Sequence, residues 1–441
     1  MIPRILAIAL LAIRAAVRSR VVLALGALLL LTLLGLPGWV RGDGTPRGAF
    51  VLLVGHTLAA CFLLLAATTL WAGCAAMAAE RAGGTAVLTA VKPVRPIELW
   101  VGKWLGIVVL AALLLAAAAA GLWLQIRVRA DELPADWRRC HRVVACQRPE
   151  PAAEAERLLR RLRDEGRMPT DATEAELRAG LIREIRNRYE LIHPGESKTW
   201  RFRIPGGVAA AGQGRGTAVV LRAVFETQFA LRQEAALSVR AEIAGTGTEA
   251  FAADAKAMAG EPLALALPAT LAVPGSVVAV TFRLDPSARA PLLLHPGRNL
   301  ALLFPGIGFT ANLARAALAL LAVLAAFAAC GLALGCCFSF PVASFAAAAV
   351  VLLSLIGACT GSGEASGGGE PPAERVGRRV IAAGTALARP FLDAAPVGRL
   401  ARSEEIPARG LLPPLAAGGV AAPVALALLS AFVLRRRENG A

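Results

Sequence analysis

Two apolar runs, Ala49 to Ala79 and Gly106 to Leu124, bracket a polar island, Glu80 to Leu105. Each run is close to or above the roughly 20 residues a helix needs to cross a bilayer core, and the first is long enough to tilt or break. An island between two such spans must lie in water. It carries Arg81, Lys92, Arg95 and Lys103, and short loops rich in Lys and Arg stay on the cytoplasmic side. The island therefore orients the whole chain.

The remaining apolar runs fill in the topology. Val21 to Val40 reads as the first span, Ala311 to Leu334 and Pro341 to Ala358 as the fourth and fifth, and Leu411 to Leu434 as a weaker last one interrupted by Pro413, Pro414 and Pro423. About six spans result, and the basic ends Arg14, Arg18, Arg20 and Arg435 to Arg437 put both termini in the cytoplasm. Ile2 to Arg20 reads either as an amphipathic helix in the membrane interface or as a frayed start of the first span. It lacks the cleavage site of a secretory signal.

A chain of 441 residues that is 56% hydrophobic and 18% charged belongs with membrane proteins. Its net charge of +16 raises nucleic-acid binding. The basic residues are scattered, however, with no aromatic-interleaved face of the kind single strands require.

Between Gln125 and Gly308 lies a polar insertion that this topology places outside. Residues 131–193 read as helical, with helices over Pro151 to Arg163 and Thr173 to Ile192. A Thr173–Glu176 capping box opens the second, and Leu177, Leu181, Ile185 and Tyr189 form its stripe. Across residues 198–304 the period falls to two. Trp200, Phe202 and Ile204 alternate with arginines, Val219, Leu221, Ala223 and Phe225 share a face, and Leu237, Val239 and Ala241 and then Val278, Val280, Phe282 and Leu284 repeat the pattern. Such strands between Gly and Pro turns predict a β-sandwich. The fold class is thus membrane all-α with an inserted extracytoplasmic α+β domain.

No catalytic set is present. There is no HExxH motif, and His56, His141, His193 and His295 lack metal-ligand spacing. His56, inside a span, is open to marking a transport path or to being a capped, hydrogen-bonded histidine. Cys140 and Cys146 are open to a disulfide, to two free thiols or, with His141, to a metal. Gly357 to Gly361 mimics a nucleophile elbow without an acid or base partner. Gly102-Lys103 is followed by Trp104 rather than Ser or Thr, so no phosphate-binding loop exists. The sequence implies no enzyme activity and no cofactor of its own, and energy for any transport would come from a partner.

The island resembles the first cytoplasmic loop of ABC transporter permeases of the type-two export class. The matching elements are Glu80, the turn Gly84-Thr85, Lys92-Pro93-Val94-Arg95, and Gly102-Lys103-Trp104-Leu105-Gly106, with Arg95 one residue early. The large insertion is similar to that of a subgroup with a big extracytoplasmic domain. The resemblance implies a multi-pass permease of a bacterial inner membrane, paired with a second copy or paralogue and with a separate ABC ATP-binding subunit. In it, residues 80–105 would dock into that subunit: Pro93 and Pro96 bend the loop, Glu98 and Lys103 supply charged contacts, and Leu99 and Trp100 an apolar knob.

Residues 1–124 then hold the interfacial helix, three spans and the coupling loop, and 125–308 the soluble domain. Residues 309–360 hold spans four and five, and 361–410 an external loop with an interfacial or re-entrant helix over Val380 to Leu392. Residues 411–441 hold the last span and a basic tail. The rival reading is a non-transporting membrane scaffold whose external domain binds a protein or polysaccharide.

Overall fold

The computed structural model describes residues 2–18, 20–39, 45–82, 95–134, 137–147, 151–167, 173–206, 219–227, 234–244, 249–271, 273–296, 299–360 and 395–438. The chain divides into two compact units, Met1–Cys140 with Ile307–Ala441, and His141–Gly306. The described helices are α1 (Ile2–Arg18), α2 (Arg20–Trp39), α3 (Pro46–Val51), α4 (Thr57–Ala82), α5 (Pro96–Val128), α6 (Pro151–Asp164), α7 (Glu174–Glu190), α8 (Phe309–Cys337), α9 (Phe340–Thr360), α10 (Pro396–Ala401), α11 (Ala408–Pro414) and α12 (Ala422–Glu438). Wide π turns at Leu52–His56 and Leu415–Ala421 join α3 to α4 and α11 to α12.

Among the described residues, four helical stretches are long and apolar enough to cross a membrane: Pro46–Ala78, Pro96–Val128, Phe309–Cys337 and Ala408–Val433. In α2 and α9 the apolar stretches are shorter, Ala24–Gly35 and Phe340–Ala349. The third expected span starts earlier than its hydropathy suggests. Pro96 occupies the first turn of α5, where its missing N–H costs nothing and its fixed φ suits the helix. The last third of the polar island is therefore helix rather than bend. The stretch Val380 to Leu392 lies outside the described residues.

Glycines set how closely the first unit's helices approach. A Cβ at Gly331 would stand 2.3 Å from the Leu70 carbonyl oxygen, and one at Gly335 2.6 Å from that of Cys74. Helices α4 and α8 thus meet backbone to backbone. Between apolar helices in lipid, close packing of this kind is the main attraction, because burial from water no longer drives association. Helix α1 uses the same device on α5: a Cβ at Gly102 would lie 2.7 Å from Ile8 Cβ, and one at Gly106 2.9 Å from Ala12 Cβ. The central helix is α8, which packs against α4, α5, α9, α11 and α12.

The strands are β1 (Arg139–Ala145), β2 (Leu191–Ile192), β3 (Ser197–Arg203), β4 (Val219–Val224), β5 (Glu226–Thr227), β6 (Glu234–Ile243), β7 (Glu249–Met258), β8 (Pro262–Leu267), β9 (Val277–Leu284), β10 (Leu292–Leu293) and β11 (Leu300–Gly308). They form sheets in the orders β1-β11-β4-β8 and β3-β9-β6-β7, with a small third sheet, β2-β10-β5. The alternating residues face inward as their period requires. Trp200, Phe202, Leu237, Val239, Val280 and Phe282 from one large sheet share a core with Leu221, Ala223, Leu300, Leu302 and Phe304 from the other. Phe282 sits edge-on to both Trp200 and Phe225, at centroid separations of 5.6 and 5.4 Å. Each such pair contributes about 0.5–1.5 kcal/mol beyond area burial.

Helix α7 opens on its capping box. Glu176 Oε2 accepts from the Thr173 N–H at 2.9 Å, and Thr173 Oγ1 from the Glu176 N–H at 3.4 Å. The stripe is only partly core: Ile185 is buried and Leu177 and Leu181 half-buried, while Tyr189 reaches out to donate to Glu154. The helix stops at Glu190, because Leu191–Ile192 joins the small sheet.

Three expectations are corrected. Arg139–Ala145, expected within the helical part 131–193, forms strand β1. The second compact unit begins at His141, not Gln125, since α5 runs on to Val128 and the residues that follow pack into the helical unit. Cys140 and Cys146 are not bridged to each other. They lie along one extended stretch, whose rise of about 3.3 Å per residue separates them by roughly 20 Å, far beyond the ~7 Å reach of a disulfide.

Candidate functional site

The island's ends are described and its middle is not. Gly84, Thr85, Lys92 and Pro93 lie outside the described residues; Glu80 stands in the last turn of α4, and Arg95 is the N-cap of α5. The Glu98 carboxylate folds back to accept from the Arg95 N–H at 3.1 Å, which satisfies one orphan donor of the helix start. Lys103 Nζ reaches across to donate to the Ala76 carbonyl at 2.7 Å, with Met77 Sδ at 3.7 Å. Trp100 packs among Met77, Ala329, Leu332, Cys336 and Ala427, and Trp104 Nε1 donates to the Ala325 carbonyl at 3.0 Å.

These contacts revise the expected roles. Glu98 is 1% exposed, Trp100 2% and Lys103 7%, so their side chains point into the chain's own helices instead of outward as charged contacts and an apolar knob. The reason is positional. Within a helix that begins at Pro96, residues 98–103 already fall in its first two turns, against the ends of α4, α8 and α12. Gly102 and Gly106 are likewise occupied by α1. What the sequence presents as one loop is a junction in which Glu98 shapes the start of α5 and Lys103 ties that start to the end of α4.

A second polar cluster lies at the other end of the helical unit, and sequence reasoning missed it. Asn312, in the first turn of α8, has no exposed surface. Its Nδ2 donates to the Glu404 carbonyl at 2.8 Å and toward Cys140 Sγ at 3.3 Å, and its Oδ1 accepts from the Ile406 N–H at 2.9 Å. One turn on, Arg315 Nη1 pairs with Glu405 Oε1 at 3.0 Å and donates to the Ile406 carbonyl at 2.8 Å. Arg402 Nε holds Glu404 Oε1 at 3.0 Å, and Arg47 donates to the Arg402 carbonyl at 3.3 Å. Burial pushes the Cys140 thiol up to about 11, opposed by the Asn312 contact and reinforced by the charge on Glu405. The available signal was an Asn and an Arg at the head of an apolar run, where polar groups are costly and need named partners.

His56 ends the first π turn with its side chain exposed. Among the described residues, no group of three His, Cys, Asp or Glu side chains is placed to hold a metal ion. No protein-family model, curated protein or solved structure matches the chain.

Proposed function

We propose that the chain is the membrane-spanning permease subunit of an ATP-driven exporter, worked by a separate ATP-binding subunit that docks on residues 80–105. The observation that carries this reading is the α4–α5 junction. Helix α5 has the polar island at one end and leads to the soluble insertion at the other, which suits an island and an insertion on opposite faces of a membrane. A push on the island would pass through Lys103 to α4 and along α5, and the glycine contacts of α4 with α8 would carry it into the centre of the bundle as rigid-body motion.

In this reading α2 and α9 complete six crossings, both termini are cytoplasmic, the membrane is a bacterial inner membrane, and a second copy or paralogue completes the pathway. Trp104 and Trp123 mark the two interfaces: their separation along α5 is about 28 Å at 1.5 Å per residue, against a hydrocarbon core of roughly 30 Å. Chemistry would reside in the partner's ATP site. The partner-contacting surface is then the middle of the island, with Glu98, Trp100 and Lys103 as internal anchors.

The test is purification of the tagged chain in mild detergent. An ATP-binding protein in stoichiometric amount, with vanadate-sensitive hydrolysis that disappears when residues 84–91 are replaced by a Gly-Ser linker, is the expected result. A pure chain with no ATP-binding protein overturns the proposal and favours the membrane scaffold.

A further inference from the structure

The cluster around Asn312 does more than satisfy polar groups. It fastens one short segment, residues 395–407, to almost everything at that end of the helical unit. Helix α10 seats Ala401 against the first π turn, where a Cβ on Gly55 would come within 3.2 Å of Ala401 Cβ. Arg47, at the start of α3, donates to the Arg402 carbonyl. Asn312 and Arg315 on α8 bind Glu404, Glu405 and Ile406. Leu400, Ala401, Ser403, Glu404, Glu405 and Ile406 are all buried.

The segment holds an unusual backbone to make these bonds. Ala395 has φ 32° and the buried Ser403 φ 57°, the only non-glycine residues with positive φ among those described. Such conformations are costly and persist where surrounding contacts over-determine them, often at switch segments. Asn312 also touches Cys140, the last residue before the soluble unit, in the strand that leads into it. One side chain thus bonds at once to the segment and to the chain's entry into that unit.

We propose that residues 395–407 are a latch across this end of the helix bundle, held shut by Asn312 and Arg315, whose opening separates Asn312 from Cys140 and exposes the thiol. The latch stands independently of the exporter reading, because its signature is chemical access to one cysteine. Contacts of charged side chains and a strained backbone, in place of apolar packing alone, allow the segment to leave and return as a unit.

The experiment measures alkylation of Cys140 by N-ethylmaleimide in the full chain in detergent micelles, read by peptide mass spectrometry. Three forms are compared: the native protein, Arg315→Gln, and Gly55→Cys/Ala401→Cys oxidised to a disulfide, which the close Cβ approach permits. Cys74, a fully buried residue of α4, reports loosening of the whole bundle. The latch predicts that Arg315→Gln speeds Cys140 alkylation at least tenfold, that the disulfide slows it at least tenfold, and that Cys74 is unchanged. A further form, Arg315→Lys, which keeps a cationic donor for Glu405 and the Ile406 carbonyl, should hold the rate nearer to native than Arg315→Gln does. Cys140 rates agreeing within threefold across the forms, or Cys74 moving in parallel with Cys140, overturn it.

Discussion

Lys103 illustrates how a single side chain changes meaning with the register of its helix. Its ammonium is buried and bound to the Ala76 carbonyl, and a hydrogen bond to a charged group contributes about 1.5–3 kcal/mol. Lys103→Met keeps the bulk and removes that tie. If the lysine is an internal anchor, the variant should still copurify the ATP-binding subunit at the native level while hydrolysis by the complex falls several-fold; a lost subunit would make Lys103 a contact residue instead. Thr173 offers a quieter test. Removing this cap by Thr173→Ala should cost about 1 kcal/mol, seen as a lower melting temperature of the soluble unit. The bonds from Thr173 hold the Glu176 carboxyl below its ordinary range. A depressed carboxylate stabilises above its unfolded value and loses that contribution as pH falls through the folded one. The gap between variant and native protein should therefore narrow in acid.

At the scale of elements, glycine spacing decides which helices form pairs. Gly331→Ala would put a methyl group 2.3 Å from the Leu70 carbonyl oxygen, whereas a Cβ at Gly26 meets nothing within 4 Å. Overpacking of this kind costs typically 1–3 kcal/mol and more against backbone, while alanine in an open helix position gains about 0.5–1 kcal/mol. Thermal unfolding in detergent should rank Gly331→Ala below the native protein and Gly26→Ala level with or above it; equal melting points would remove the close-packed α4–α8 pair. The strands were legible from sequence because period-two alternation reports directly on burial: Trp200, Phe202, Val219, Leu221 and Phe282 all face the core. The junctions were not. Hydropathy cannot see that α5 begins at Pro96, because Glu98 and Lys103 score as polar whether they face water or a carbonyl. Nor can it see that Glu404 and Glu405 find Arg402 and Arg315, since Arg315 lies far from both carboxylates in sequence. The four described candidate spans follow from apolar length alone, and the remaining two crossings rest on the proposal.

At the scale of the whole molecule, the division at His141 and Gly306 and the continuous sandwich core predict that a fragment from His141 to Gly306 is soluble, with mixed helix and strand by circular dichroism and a cooperative melt. An aggregated or unfolded fragment would mean that the sandwich needs the helical unit to form. The island decides between an exporter subunit and a membrane scaffold. A photo-crosslinking residue placed in turn at Thr85, Leu88 and Val91, and at Thr45 as the control in a different loop, reads the contact in intact cells. The proposal predicts an ultraviolet-dependent adduct between the island positions and an ATP-binding protein, with none from Thr45. Adducts to no ATP-binding protein from any island position, in a chain that inserts and accumulates normally, would contradict it.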